Sequence, residues 1–171
     1  CLQMTKRFYD QGVNLTIHTS ETDFDREATL KVHGMLDTDI LVHYGMMGPR
    51  TLLVHCVKLD ERDIRMIKAC DARVSHNPNS NMYLASGVVP IPALNLAGIT
   101  VGLGTDGANT NNNYDMFEEM KFAVLLQRIA TNRASALVAA DVLNMATIGG
   151  ARVLGIADQT GSLEIGKKAD I

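Results

Sequence analysis

Cysteine is scarce in this chain: Cys1, Cys56 and Cys70 are the only three among 171 residues, and none forms a Cys-x-x-Cys pair. That excludes a disulfide framework and a thiolate zinc knuckle, and it predicts a reducing, cytoplasmic setting. Cations are not in surplus either, with 16 Lys and Arg against 19 Asp and Glu and a formal charge of −3. No basic footprint for a phosphate backbone follows, so nucleic acid is not an expected partner. A long uninterrupted apolar run is also missing. No Asp, Glu, Lys or Arg occurs from Val74 to Thr105, but Pro78, Pro90, Pro92, Gly87, Gly98 and the run Asn77–Asn81 interrupt that stretch. It falls short of the roughly 20 continuous apolar residues of a spanning helix, so no membrane partner is expected. The first residues, Cys1 to Phe8, lack an initiator Met and the basic-then-apolar layout of a signal peptide, and the chain is expected to begin partway through a longer protein.

What is present is a globular composition, 46% hydrophobic and 20% charged. Short apolar runs end in polar residues: Val13–Ile17 before His18, Thr51–Val54 before His55, Ala72–Val74 before Ser75-His76, and Ile99–Leu103 before Asp106. These predict buried strands. Helical spacing lies between them at 27–35, 39–46 and 61–69, then at 115–129, where Met116, Met120, Ala123, Val124 and Gln127 form one stripe, and at 136–145. Strand then helix, about four times over, predicts an α/β fold with a parallel sheet. Four such units are roughly half of a (β/α)₈ barrel of about 250 residues, so the chain is either a doubly wound sheet or part of a barrel.

Three expected strand tips carry His18, His55 and Asp106, where parallel sheets and barrels bind ligands. His18 with Glu21 three positions on suits a metal ligand beside a proton carrier; alternatively Thr19 or Ser20 is a helix N-cap with Glu21 in the first turn. His55, flanked by apolar residues, is either a core imidazole or a site residue, while His33 and His43 read as surface or structural. Ser75–Asn81 is a turn or a ligand-facing loop. Gly102–Gly107 matches G-x-G-x-x-G, but Asn109–Asn113 is expected to delay the following helix, and Arg128 stands near the place where an acidic residue belongs. A nucleotide cradle is therefore disfavoured. Asp106 with two imidazoles makes a mixed nitrogen and oxygen set suited to zinc or another divalent ion.

Taken in order, His18-Thr19-Ser20-Glu21, Val54-His55-Cys56-Val57, Ser75-His76-Asn77-Pro78-Asn79-Ser80-Asn81-Met82 and Leu103-Gly104-Thr105-Asp106-Gly107-Ala108 resemble the later half of the amidohydrolase superfamily barrel. The most similar branch is that of the S-adenosylhomocysteine/5′-methylthioadenosine deaminases and their s-triazine chlorohydrolase relatives. The resemblance implies a (β/α)₈ TIM-type barrel of the metal-dependent hydrolase kind, of which this chain holds the later strands and helices. Residues 1–160 would carry strands five to eight, and 161–171 would begin the return to a small β-sandwich.

It further implies that His18 and Asp106 are ligands of one divalent metal, zinc with iron or manganese as alternatives. Glu21 shuttles the proton, His55 orients the attacking water, Asp106 also acts as base on that water, and His76, Asn77 and Asn81 face the substrate. The implied reaction is hydrolytic deamination of an N-heterocycle, most simply an adenosine derivative, with dechlorination or dealkylamination of an s-triazine as the alternative. The family's His-x-His pair occurs nowhere in this chain. A catalytically incomplete fragment is thus a further possibility, and the open edges of a partial barrel predict a homo-oligomer or pairing with the missing half.

Overall fold

The computed structural model describes residues 2–169. Helix α1 (Leu2–Asp10) precedes β1 (Leu15–Thr19), and α2 (Asp23–His33) and α3 (Asp37–His43) lead to β2 (Thr51–His55). Next come α4 (Glu61–Ala69), β3 (Arg73–His76), α5 (Pro78–Tyr83), α6 (Ile91–Leu96) and β4 (Val101–Leu103). Four helices follow: α7 (Ala108–Asn111), α8 (Met116–Thr131), α9 (Ala139–Ala146) and α10 (Ile148–Leu154). The strands form one sheet in the order β1-β2-β3-β4, every pair parallel. A doubly wound sheet reverses its strand order at a switch point, and this one does not. Its strands step round in one direction, as barrel staves do.

All four expected strands form; the first three end one or two residues later than expected, and the fourth begins two residues later. β1, β2 and β3 take in His18, His55 and His76, because the ladder continues through the pairs Thr19 with His55 and His76 with Leu103. The helix at 61–69 has the expected bounds, set by a capping box between Asp60 and Asp63. α2 starts four residues before the expected Glu27, because Thr22 and Asp25 cap each other. That box also removes Thr19 and Ser20 as the N-cap. Asn77–Asn81 is not a turn: Pro78 occupies the first position of α5, where its missing N–H leaves nothing unsatisfied. Residues 161–169 run through turns and bends, and the last two of the predicted β-segment lie outside the described residues.

The core lies on the helical side of the sheet. Leu53 and Val74 pair in register and have no exposed surface, and they share one apolar cluster with Ile67, Ile91 and Leu94. Each such side chain contributes roughly 1.5–3 kcal/mol by leaving water. The α8 stripe faces inward as predicted, with Ala123 and Gln127 buried and Gln127 Nε2 donating to the Val89 carbonyl at 2.8 Å. The glycine motif serves packing. A Cβ on Gly102 would stand 2.8 Å from Val153 and 3.1 Å from the Gly150 backbone, so this glycine lets α10 lie against β4. A helix does follow Gly107 at once, contrary to expectation, but α7 is one turn long and ends where Asn112 takes φ 69°.

Candidate active site

The strand pairing by itself would separate the two histidines. His18 pairs with Val54 and Thr19 with His55, so a regular pleat would place His18 and His55 on opposite faces. His55 and Cys56, however, have φ of 72° and 58°, and this left-handed pair breaks the alternation. The His55 ring then stands edge-on to that of His18, with centroids 4.6 Å apart. Ser20 at the end of β1 and Asp106 beyond β4 also lie in the left-handed region, at 48° and 59°. Such residues cost about 1 kcal/mol or more each, and they persist only where surrounding contacts over-determine them.

These bends gather four functional groups. Nitrogen or oxygen atoms of His18, Glu21 and His55 lie within 4.8 Å of one another. His55 Nε2 is 3.3 Å from His18 Nδ1, 3.5 Å from Glu21 Oε2 and 3.8 Å from Asp106 Oδ2. His55 is buried, Glu21 and Asp106 are partly buried, and His18 is exposed. On its other edge, His55 Nδ1 meets Asn81 Oδ1 at 2.8 Å. An amide oxygen only accepts, so Nδ1 carries a proton in this bond, and Nε2 faces the cluster.

Residues 77–86 hold the cluster in place. Besides Asn81 on His55, Ser80 Oγ donates to Asp106 Oδ2 at 2.7 Å and Ser86 Oγ donates to Glu21 Oε1 at 3.1 Å. Thr110 of α7 donates a second hydroxyl bond to Asp106 Oδ2 at 3.1 Å. Burial pushes the Asp106 carboxyl up, but the Ser80 hydroxyl, the Gly107 N–H, the Thr110 hydroxyl and nearby His55 outweigh it and keep the group below the ordinary carboxylate value. Asp106 is therefore an anion near neutral pH. Behind β1 and β2, Ser20 Oγ donates to both Asp37 oxygens at 2.9 Å, and Arg26 reaches Ser20 Oγ at 3.0 Å and buried Asp63 at 2.7 Å. Thr38 donates to the other Asp63 oxygen at 2.7 Å. This network holds the left-handed Ser20, and with it the start of the segment bearing Glu21.

His18, His55 and Asp106, three residues expected at strand tips, thus lie together with Glu21 from the segment after β1. His76, Asn77 and Asn81 are all buried beside them rather than on an open loop. Neither His76 ring nitrogen nor Asn81 Nδ2 has a hydrogen-bond partner among the described residues. Burial, with nearby His55, pushes the His76 imidazole down to about 3, so it is neutral. His33 and His43 are exposed, as expected. Buried Cys56 has its thiol raised far above the usual value by burial first and then by Asp37 and Asp63, which makes it inert as a nucleophile. Sequence reasoning missed Ser80 and Ser86, because a hydroxyl bond to a residue 26 or 65 positions away leaves no local trace, and Thr110, whose bond to Asp106 four positions back depends on α7 starting directly after Gly107. It also missed Glu119, although a carboxylate three residues after Met116 and four before Ala123 falls on the buried stripe of α8.

Comparison with known proteins agrees with this geometry. The model of the amidohydrolase family matches residues 3–171. The chain is 49% identical over 155 residues to a 5′-deoxyadenosine deaminase of Methanothermobacter thermautotrophicus, covering 91% of this chain and 36% of that protein. It is 45% identical over 159 residues to a 5-methylthioadenosine/S-adenosylhomocysteine deaminase of Desulforudis audaxviator, covering 93% and 37%. An S-triazine hydrolase of Gordonia rubripertincta is 44% identical over 156 residues, covering 91% and 32%. The solved structure of an adenosine deaminase from Xanthomonas campestris with bound zinc superposes with a TM-score of 0.94 at 37% identity, over 99% of this chain and 39% of that one. The chain therefore spans about a third of the length of the curated relatives it matches. The family match, the unreversed parallel sheet and the histidine–carboxylate cluster at its C-terminal rim lead to one assignment: the chain belongs to the amidohydrolase family.

Proposed function

We propose that residues 1–160 are strands five to eight of a zinc-dependent deaminase barrel acting on an adenosine derivative, with 161–171 leading towards a small β-sandwich. The observation that carries this reading is the convergence of Glu21, His18 and Asp106 on one nitrogen of His55, within 3.5, 3.3 and 3.8 Å. Mixed imidazole and carboxylate donors suit zinc, and also iron or manganese; the Xanthomonas deaminase is described with zinc bound. His18 and Asp106 would hold the ion, with further ligands supplied from outside this chain. When bound, the ion makes water acidic enough to ionise near neutral pH.

The residues of this chain supply the proton chemistry. Asp106, kept anionic by its hydroxyl donors, accepts a proton from the attacking water, and His55 Nε2 orients that water. Attack at the ring carbon bearing the amino group gives a tetrahedral intermediate. Glu21, fixed through one oxygen by Ser86, and Asp106 between them move the two protons of that water, one to the ring nitrogen and one to the departing amine. Water and the amine thus become a ring carbonyl and ammonia. His76, Asn77 and Asn81 keep a substrate-facing role in this proposal, since the unpartnered His76 nitrogens and Asn81 Nδ2 offer hydrogen bonds to a heterocycle.

The test is ammonia release by protein carrying the complete barrel, offered 5′-deoxyadenosine, 5′-methylthioadenosine or S-adenosylhomocysteine. Release from any of them supports the proposal. The triazine reading is favoured by the 44% identical Gordonia relative, and chloride or alkylamine release from a triazine, with no ammonia from the nucleosides, would replace the deaminase reading. The isolated 171-residue chain should bind zinc poorly; tight, stoichiometric zinc would overturn the view that ligands are missing from it. We also propose a cytoplasmic homo-oligomer: Cys56 and Cys70 are free thiols, and Phe24 and Val32 stand exposed on α2. No helix among the described residues is long and apolar enough to cross a membrane.

A further inference from the structure

Glu119 has no exposed surface, carries no role in the chemistry above, and is held by two other parts of the fold. Its Oε1 accepts from Asn111 Nδ2 of α7 at 2.6 Å, and its Oε2 accepts from the Asn79 backbone N–H of α5 at 3.1 Å. Asn79 and Asn111 are also joined directly through their side chains, and Asn111 Nδ2 donates to the Thr105 carbonyl at 2.6 Å, next to left-handed Asp106. One buried carboxylate on α8 therefore ties α5, α7 and the β4–α7 connection together. These are the parts that face the reacting groups: α5 sends Ser80 to Asp106 and Asn81 to His55, Ser86 just beyond α5 reaches Glu21, and α7 sends Thr110 to Asp106.

A carboxylate is an expensive way to fill that space. An apolar residue would satisfy the inward stripe of α8 at no desolvation cost, whereas a buried acid is tolerated only where its oxygens are taken up by donors. Both oxygens here are taken up, and by donors whose placement sets where Asp106, His55 and Glu21 stand. We infer that Glu119 is the positioning residue of this site, fixing α5 and α7 so that Ser80, Asn81 and Thr110 hold the catalytic groups in register; the inference rests on the deaminase reading for its kinetic consequence alone.

The test uses Glu119→Gln in protein carrying the complete barrel. The amide keeps the volume and one acceptor but turns an NH₂ towards one of the two donors, so it breaks a tie without opening a cavity. The zinc dissociation constant is expected to rise about tenfold, as for other changes behind a metal ligand. At saturating zinc, kcat should fall about tenfold with KM within about twofold. Leu94→Ala, fully buried in the apolar cluster and away from this network, controls for lost stability: it should lower the melting temperature and leave zinc affinity and kcat unchanged. Combining Glu119→Gln with Ser80→Ala should cost scarcely more than the worse single change, because both act on Asp106 through α5.

If Glu119→Gln lowers the melting temperature as Leu94→Ala does but leaves zinc affinity and kcat within twofold of the parent, the positioning role is overturned. Fully additive losses with Ser80→Ala would overturn the route through α5. Should the parent release no ammonia from any nucleoside while Glu119→Gln still weakens zinc binding, the deaminase reading fails and the positioning role stands. If Glu119→Gln does not fold, Asn111→Ala, which cuts the tie to Thr105, serves in its place with the same expected losses.

Discussion

Within the strands, Leu53, Val74 and Val101 sit in register with little or no exposed surface, and none of them has a positive φ. A few residues further on, the same sheet ends in Ser20, His55, Cys56 and Asp106, all in the left-handed region and surrounded by buried polar groups. The middle gains stability by removing apolar area from water, with no directional demand beyond packing. The rim spends part of that stability on strained backbone and desolvated polar side chains, and in return directs four chemically capable groups at one another. Positive φ at four rim residues is what a regular pleat cannot supply.

Four measurements sharpen that contrast, each made in protein carrying the complete barrel. Asp106→Ala touches only the rim, and turnover is expected to fall about 10³-fold with little change in unfolding; turnover within tenfold of the parent would mean that the reaction occurs elsewhere. Asp63→Ala leaves Arg26 without its buried partner and Thr38 without its acceptor, and should cost about 3–5 kcal/mol in urea unfolding. A cost under about 1 kcal/mol would mean that this network does not hold the β1 rim.

Ile67→Ala, in the fully buried middle, should cost about 2–5 kcal/mol while kcat stays unchanged. A large loss of kcat there would erase the division between the two regions. The smallest effect is a pH slope. His76 titrates at about 3 when folded, against 6.5 as its ordinary value, so below pH 6.5 the unfolded chain binds a proton that the folded chain does not. Stability should therefore fall as pH drops from about 6.5 towards 3, by at most about 1.4 kcal/mol per pH unit from this residue. His76→Gln should remove that component, and an unchanged slope would show that His76 is not the buried neutral group described.

Much of the architecture was legible because its signals are local. Helical spacing announces α4, the apolar runs announce four strands, and the inward stripe of α8 follows a 3.6-residue period. α5 was not legible, since Pro and Asn in Asn77–Asn81 favour a turn equally well; packing against α8 settles it as a helix, with Glu119 taking the Asn79 N–H. The same holds for the rim. His18, Glu21, His55 and Asp106 could be singled out by their position after apolar runs, but Ser80, Ser86, Thr110 and Glu119 have no motif of their own.

By itself, then, the amino-acid order determined the four strands, the helices α2, α3, α4, α8 and α9, and which residues carry nitrogen or carboxylate groups near the strand tips, because propensity and hydrophobic period act over a few neighbours. Tertiary structure decided the rest: that the strand order never reverses, that His55 turns against its pleat to meet His18, and that hydroxyls 26 and 65 residues distant hold Asp106 and Glu21. Those outcomes depend on which buried donors find which acceptors once the layers close, and that matching has no expression in the spacing of residues along the chain.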